Sequence, residues 1–202
     1  MRKPIIAGNW KMHNTVKETL STLKELLPLV RNEEADIIIC PNFVSLSEAS
    51  VFLSDSAVNL GAQNMHYEDK GAFTGEVSPV FLKEIGVKYI ILGHSERRHI
   101  FKESNDLVNK KIKSALRHKL QPILCVGETL EEREKDVTFD VIREQVLCSL
   151  GDLKSDDLKD LIIAYEPVWA IGTGKTATKE DANEAIGYIR KLLKDSFGED
   201  TA

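Results

Sequence analysis

Three short stretches of the sequence bring together residue types that can move a proton. The first is Asn9-Trp10-Lys11, a hydrogen-bonding amide close to a cation. If the segment is extended, alternation puts Asn9 and Lys11 on one side and Trp10 on the other. The second is Gly93-His94-Ser95-Glu96-Arg97-Arg98, with a helix start expected at Ser95 directly after His94. Backbone N–H groups at a helix N-terminus disfavour added positive charge, so an imidazole there would be neutral. The third runs from Tyr165-Glu166-Pro167-Val168-Trp169 through Ala170-Ile171-Gly172-Thr173-Gly174-Lys175-Thr176. A carboxylate that closes an apolar run needs a partner or a raised pKa, and a raised pKa marks a general base. The segment after Glu166 is apolar at its centre and bracketed by Pro167 and Gly-Thr-Gly-Lys, which suits a lid that excludes water. A carboxylate base with an electrophile for the neighbouring oxygen is the equipment for taking a proton from beside a carbonyl.

Each feature has a plainer reading. A lone Lys11 is a solvated charge, and His94 alone is a hydrogen-bonded structural histidine. Glu96, Arg97 and Arg98 read as a structural ion-pair network, and Trp10 and Trp169 as packing anchors. Gly174-Lys175-Thr176 imitates the end of a P-loop, but the first glycine of that pattern would fall at Trp169. Gly172-x-Gly174-x-x-Ala177 matches the relaxed dinucleotide fingerprint, which leaves a nucleotide-binding α/β domain as an alternative. Six residues, one a proline, nevertheless separate Tyr165 from Gly172, where that fingerprint turns straight from strand to helix.

Six apolar runs must position these groups: Ile5-Gly8, Ile37-Cys40, Val58-Ala62, Tyr89-Leu92, Pro122-Val126 and Leu161-Tyr165. Aliphatic on both faces, they suit buried parallel strands. A stretch of helical period follows each. Thr15 with Glu18 and Thr129 with Glu132 fit capping boxes. Ser78-Pro79 marks a further start with Gly86 as its stop, and Thr178 opens the last helix with Glu180 and Asp181 in the first turn. Alternating units of this kind give an α/β fold with a parallel sheet, either open and doubly wound or a barrel. In both, active residues collect where strands end, and Lys11, His94 and Glu166 all fall there.

The 202 residues carry 27 Lys plus Arg against 32 Asp plus Glu, a formal charge of −5. That balance gives no electrostatic footprint for nucleic acid. No run approaches the roughly 20 apolar residues of a membrane-spanning helix, and the basic opening is too short in apolar residues for a signal peptide. Cys40, Cys125 and Cys148 are scattered and odd in number, without a CxxC pair. Neither a zinc site nor a disulfide framework is expected, and a reduced, cytoplasmic setting is.

Taken in order, Ala7-Gly8-Asn9-Trp10-Lys11-Met12, Gly61-Ala62-Gln63-Asn64, Gly93-His94-Ser95-Glu96-Arg97-Arg98, Cys125-Val126-Gly127-Glu128 and Ala164-Tyr165-Glu166-Pro167-Val168-Trp169-Ala170-Ile171-Gly172-Thr173-Gly174 resemble the triosephosphate isomerase family. The resemblance runs from Ile5 to about Phe197. It implies interconversion of dihydroxyacetone phosphate and D-glyceraldehyde 3-phosphate through an enediolate, in glycolysis and gluconeogenesis, with no metal or organic cofactor. Glu166 would carry the proton between carbons, and neutral His94 would polarise the carbonyl. This family is itself a standard example of such pKa tuning and of a closing lid. Lys11 would balance phosphate and enediolate charge, and Asn9 would donate to a substrate oxygen. Gly172 would offer its amide to the phosphate. Glu96 would support Lys11, and Ser95 would help hold His94. A homodimer is implied as well, in which the loop from Asn64 to Glu76 reaches the partner and Thr74 braces the partner's Asn9 and Lys11. Members of the family have eight βα units and six are read here. The expected fold is therefore a TIM (β/α)8-type barrel truncated to about six units, one incomplete domain over 1–202. A catalytically silent fragment whose sheet edge recruits a partner is a third expectation.

Overall fold

Six apolar runs become six strands, each followed by at least one helix. A computed structural model describes residues 3–31, 33–171 and 174–201. The chain divides into two compact units, Met1–Ile91 with Ser114–Gln121, and Leu92–Lys113 with Pro122–Ala202.

In the first unit, β1 (Ile5–Asn9), α1 (Val16–Val30), β2 (Asp36–Cys40), α2 (Leu46–Leu53), β3 (Asn59–Ala62), α3 (Pro79–Glu84) and most of β4 (Tyr89–Leu92) follow one another. Neighbouring strands pair in parallel, with Ile5 opposite Asp36, Ile38 opposite Asn59 and Gly61 opposite Tyr89. Leu23, Ile38, Leu46, Leu60, Leu82 and Ile90 form its core. α1 starts on Thr15, which makes both halves of the capping box with Glu18. α3 starts on Ser78 with Pro79 in its first turn, and Gly86 follows its end at φ +81°, a conformation that glycine reaches without a Cβ penalty.

The second unit holds α4 (Ser95–His99), most of α5 (Asn105–Arg117) and β5 (Gln121–Val126), α6 (Leu130–Glu134), α7 (Thr138–Ser149), β6 (Ile162–Tyr165) and α8 (Lys179–Phe197). β5 and β6 are parallel, with Val126 opposite Tyr165. Val108, Ile112, Leu124, Ile142, Val146 and Ile189 are buried there. Parallel strands alternating with helices make this an α/β fold of the TIM-barrel type, carried to about six βα units.

One expectation about burial changes. β1 was expected to be buried on both faces, yet Ile5 and Ile6 are 41% and 59% exposed. β1 ends the strand order and pairs with β2, and a terminal strand loses the cover that a central one receives on both sides. Of the cysteines, Cys148 on α7 is exposed, whereas Cys40 and Cys125 are buried. Burial pushes the Cys40 thiol up to about 12, so it stays protonated and inert.

Candidate active site

In the first unit the chain turns as soon as β1 ends. Asn9 is the last strand residue, and its Oδ1 accepts the Lys11 N–H at 3.0 Å. That bond bends the chain, and Lys11 sits in the left-handed region at φ +51°. The alternation expected to align Asn9 with Lys11 therefore stops at Trp10, and a local hydrogen bond sets their relation instead. Gln63 fixes the strained turn by donating from Nε2 to the carbonyls of Lys11 and Cys40, at 2.9 Å each. Strain of this kind persists only where surroundings over-determine it, and it concentrates at functional sites. Thr74 lies in an exposed turn of the same unit.

The second unit brings His94, Ser95 and Glu166 together. His94 is the N-cap of α4, and its Nδ1 accepts the Glu96 N–H at 3.2 Å. An Nδ1 that accepts must carry a lone pair, so the neutral ring holds its proton on Nε2. Nε2 stands 3.0 Å from Glu166 Oε1, with the imidazole almost fully buried. The other carboxylate oxygen accepts the Ser95 N–H at 3.3 Å. Ser95 thus partners Glu166, whereas the imidazole expected to lean on it is held by the Glu96 amide. The Glu96 carboxylate lies 3.6 Å from His94 Nδ1. Burial pushes the Glu166 carboxyl up, but the hydrogen bond and charge of His94 and the bonds from Ser95 outweigh it, leaving the pKa below the usual carboxylate value. Of the two ways to keep such a carboxylate, a partner or a raised pKa, Glu166 therefore has the partner, and its pKa is lowered.

A fully buried carboxylate in the Cys125-Val126-Gly127-Glu128 stretch grips the segment around Glu166. Glu128 accepts from the Tyr165 hydroxyl at 3.1 and 3.0 Å and from Trp169 Nε1 at 2.8 Å, one residue before Glu166 and three residues after it. Burial and the Glu128 charge push the Tyr165 phenol up, so it remains a donor. Trp169 is the packing anchor its sequence setting implied. The Glu166 N–H bonds the Val126 carbonyl at 2.8 Å. Gly127 packs so closely that a Cβ there would lie 1.8 Å from the Glu166 carbonyl oxygen. Gln145 satisfies both backbone groups of Gly127. Nothing in the local pattern of Glu128 distinguishes it from a surface carboxylate; its acidic type amid Cys125-Val126-Gly127 was the one available signal.

Arg97 and Arg98 are structural, as their setting implied. Arg97 bonds Glu103 at 2.7 Å, and Lys111 bonds the same oxygen at 2.5 Å. Arg98 donates from Nε to the carbonyl of Gly93, just before His94, and from Nη1 to Asn105 Oδ1, both at 2.6 Å. Gly172 lies outside the described residues. Between β6 and α8 a 3-10 turn occupies Val168–Ala170, so the strand does not feed directly into the helix as a dinucleotide fingerprint requires. Among the described residues, no group of three or more His, Cys, Asp or Glu is placed to hold a metal ion.

The family model described as triosephosphate isomerase matches residues 4–202. The chain belongs to the triosephosphate isomerase family. A triosephosphate isomerase of Alkaliphilus metalliredigens is 56% identical over 197 residues, covering 98% of this chain and 79% of that protein. Triosephosphate isomerases of Clostridium botulinum (strain Langeland) and Caldanaerobacter subterraneus are each 52% identical over 202 residues, covering all of this chain and 82% of theirs. The nucleotide-binding alternative finds no support beside these matches.

Proposed function

We propose that this chain is a triose-phosphate isomerase, interconverting dihydroxyacetone phosphate and D-glyceraldehyde 3-phosphate in glycolysis and gluconeogenesis. The observation that carries the reading is the placement of His94 Nε2 at 3.0 Å from Glu166 Oε1 while its Nδ1 accepts the Glu96 N–H. A substrate carbonyl entering between them takes the Nε2–H bond, while the carboxylate takes the proton on the adjacent carbon. The electron pair of the broken C–H bond becomes the new C=C bond as the carbonyl π pair moves onto oxygen, giving an enediolate. Glu166 returns the proton to the neighbouring carbon as His94 shuttles a proton between the two oxygens. Lys11 balances the phosphate and enediolate charge, Asn9 donates to a substrate oxygen, and Gly172 offers its amide to the phosphate. Ser95 holds the resting Glu166, and Glu96 fixes the imidazole tautomer. The substrate carbonyl is its own electron sink, so the reading calls for no cofactor or metal. We take the chain as one TIM-barrel-type domain that works as a homodimer in the cytoplasm, with Thr74 bracing the partner's Asn9 and Lys11. Among the described residues, no helix is long and apolar enough to cross a membrane.

The test is turnover of glyceraldehyde 3-phosphate, coupled to reduction of dihydroxyacetone phosphate. Glu166→Asp withdraws the carboxylate by one methylene and His94→Gln removes the imidazole, so each should lower kcat by about 10²–10⁴-fold with the fold unchanged by circular dichroism. Full activity in both variants, or no turnover in the parent chain, would overturn the assignment.

A further inference from the structure

Arg133 joins three parts of the second unit that the sequence keeps apart. It lies on α6, whose start is fixed by the Thr129–Glu132 capping box. Its Nη1 approaches Glu128 Oε1 at 3.4 Å, and its Nη2 bonds Asp181 Oδ1 at 2.6 Å. Its guanidinium carbon lies 4.4 Å from the centroid of the Trp169 ring. Asp181 closes the α8 capping box by accepting from the Thr178 N–H at 3.0 Å and hydroxyl at 2.7 Å. One side chain therefore touches the carboxylate that grips both flanks of Glu166, the indole three residues beyond that base, and the first turn of the next helix.

We propose that Arg133 is a positioning residue for the base Glu166, acting through Glu128 and Trp169. The inference rests on the isomerase reading. Glu128 is a fully buried carboxylate, and a buried charge is tolerated when it is paired and hydrogen-bonded. Tyr165 and Trp169 supply hydrogen bonds, and Arg133 supplies the opposite charge. Without that charge, the buried Glu128 carboxylate loses its counter-charge and turns toward water, which draws its oxygen away from Trp169. The Glu166 backbone sits between Tyr165 and Trp169, so its carboxylate drifts with them. The guanidinium also stacks on the indole face, a contact that a compact ammonium reproduces in part. The Arg133 side chain is 35% exposed, so shortening it opens little cavity and the effect on global stability should stay small.

The experiment compares Arg133→Met, Arg133→Lys and Asp181→Asn with Lys135→Ala, which breaks only the exposed Lys135–Glu131 pair on the same helix. In Arg133→Met, kcat should fall about ten- to a hundredfold while KM changes little, because the base is displaced and the substrate contacts are intact. Arg133→Lys should recover part of kcat, and Lys135→Ala should match the parent. Combining Arg133→Met with Asp181→Asn should add nothing beyond Arg133→Met alone. Emission of Trp169, isolated in a Trp10→Phe background, should shift in Arg133→Met whether or not the chain turns over triose phosphate. Parental kcat in Arg133→Met, a KM rise without loss of kcat, or no recovery by lysine would each overturn the proposal. An inactive parent would count against the isomerase reading, whereas an unchanged Trp169 emission would count against the Arg133 anchor itself.

Discussion

At low pH, Glu166 should stay ionised longer than an ordinary carboxyl. Burial works against its charge, but His94 Nε2 at 3.0 Å and the Ser95 amide at 3.3 Å more than compensate, and its pKa is lowered. A lowered folded-state pKa contributes stability that is present above the unfolded value, about 4.3 for glutamate, and is lost as pH falls through the folded one. The same shift sets the active form. The acid limb of kcat/KM, corrected for ionisation of the substrate phosphate, should fall below the usual glutamate value. A limb well above that value would mean that the partners seen around Glu166 do not hold in the free enzyme. The types and order of Asn9, Lys11, His94 and Glu166 were readable because their chemistry sits at the ends of apolar runs. The sign of the Glu166 shift was not, because it depends on an amide and an imidazole some seventy residues away in the chain. The left-handed turn at Lys11 was equally hidden, since lysine has no preference for φ +51° and Gln63 imposes it from just beyond the end of β3.

Elements locate these groups by backbone contact as much as by side chains. β5 and β6 pair as far as Val126 and Tyr165, and the Glu166 N–H continues the ladder to the Val126 carbonyl. Gly127 is required at this approach for lack of room, its added Cβ falling 1.8 Å from the Glu166 carbonyl oxygen and 2.8 Å from its carbonyl carbon. Neither atom can step aside as a flexible side chain would. Gly127→Ala should therefore separate the strand ends, cost about 1–3 kcal/mol or more in urea unfolding, and lower kcat through the displaced base. Unchanged stability and kcat would show that the two strands part freely at this point. Strand positions and the caps at Thr15, Ser78, Thr129 and Thr178 were legible because local periodicity and local hydrogen bonds encode them. The exposure of Ile5 and Ile6 was not, because a run of aliphatic residues carries no record of which strand lies at the sheet's edge.

For the molecule as a whole, the surface of the first unit bears on its association state. The loop from Asn64 to Glu76 is held by contacts within itself and to Val77, Ser78, Arg117 and His118. The His66 N–H bonds the Val77 carbonyl, and the Ser78 hydroxyl bonds the Asp69 carbonyl at 2.6 Å. The Asp69 carboxylate holds His118 and Arg117 at 2.8 and 3.1 Å, and these bonds lower its pKa, that of His118 most. The His66 ring packs against Tyr67 and Phe73. A surface already ordered in this way loses little entropy on binding. The same unit exposes Met12 at 95%, Val44 at 81%, Phe81 at 58% and Phe73 at 41%. Exposed apolar side chains of this size are what a contact between copies would bury, and a formal charge of only −5 over 202 residues offers modest repulsion between copies. Sedimentation velocity across a range of concentrations should therefore detect a dimer of this chain. Phe73→Asp places a charge in the contact without touching Glu166 or His94, so it should shift the population toward monomer. If Thr74 braces a partner's Asn9 and Lys11, specific activity of Phe73→Asp should fall along with the dimer fraction on dilution. A monomer at every concentration would remove the partner from the mechanism and leave the Lys11 turn to Gln63 alone.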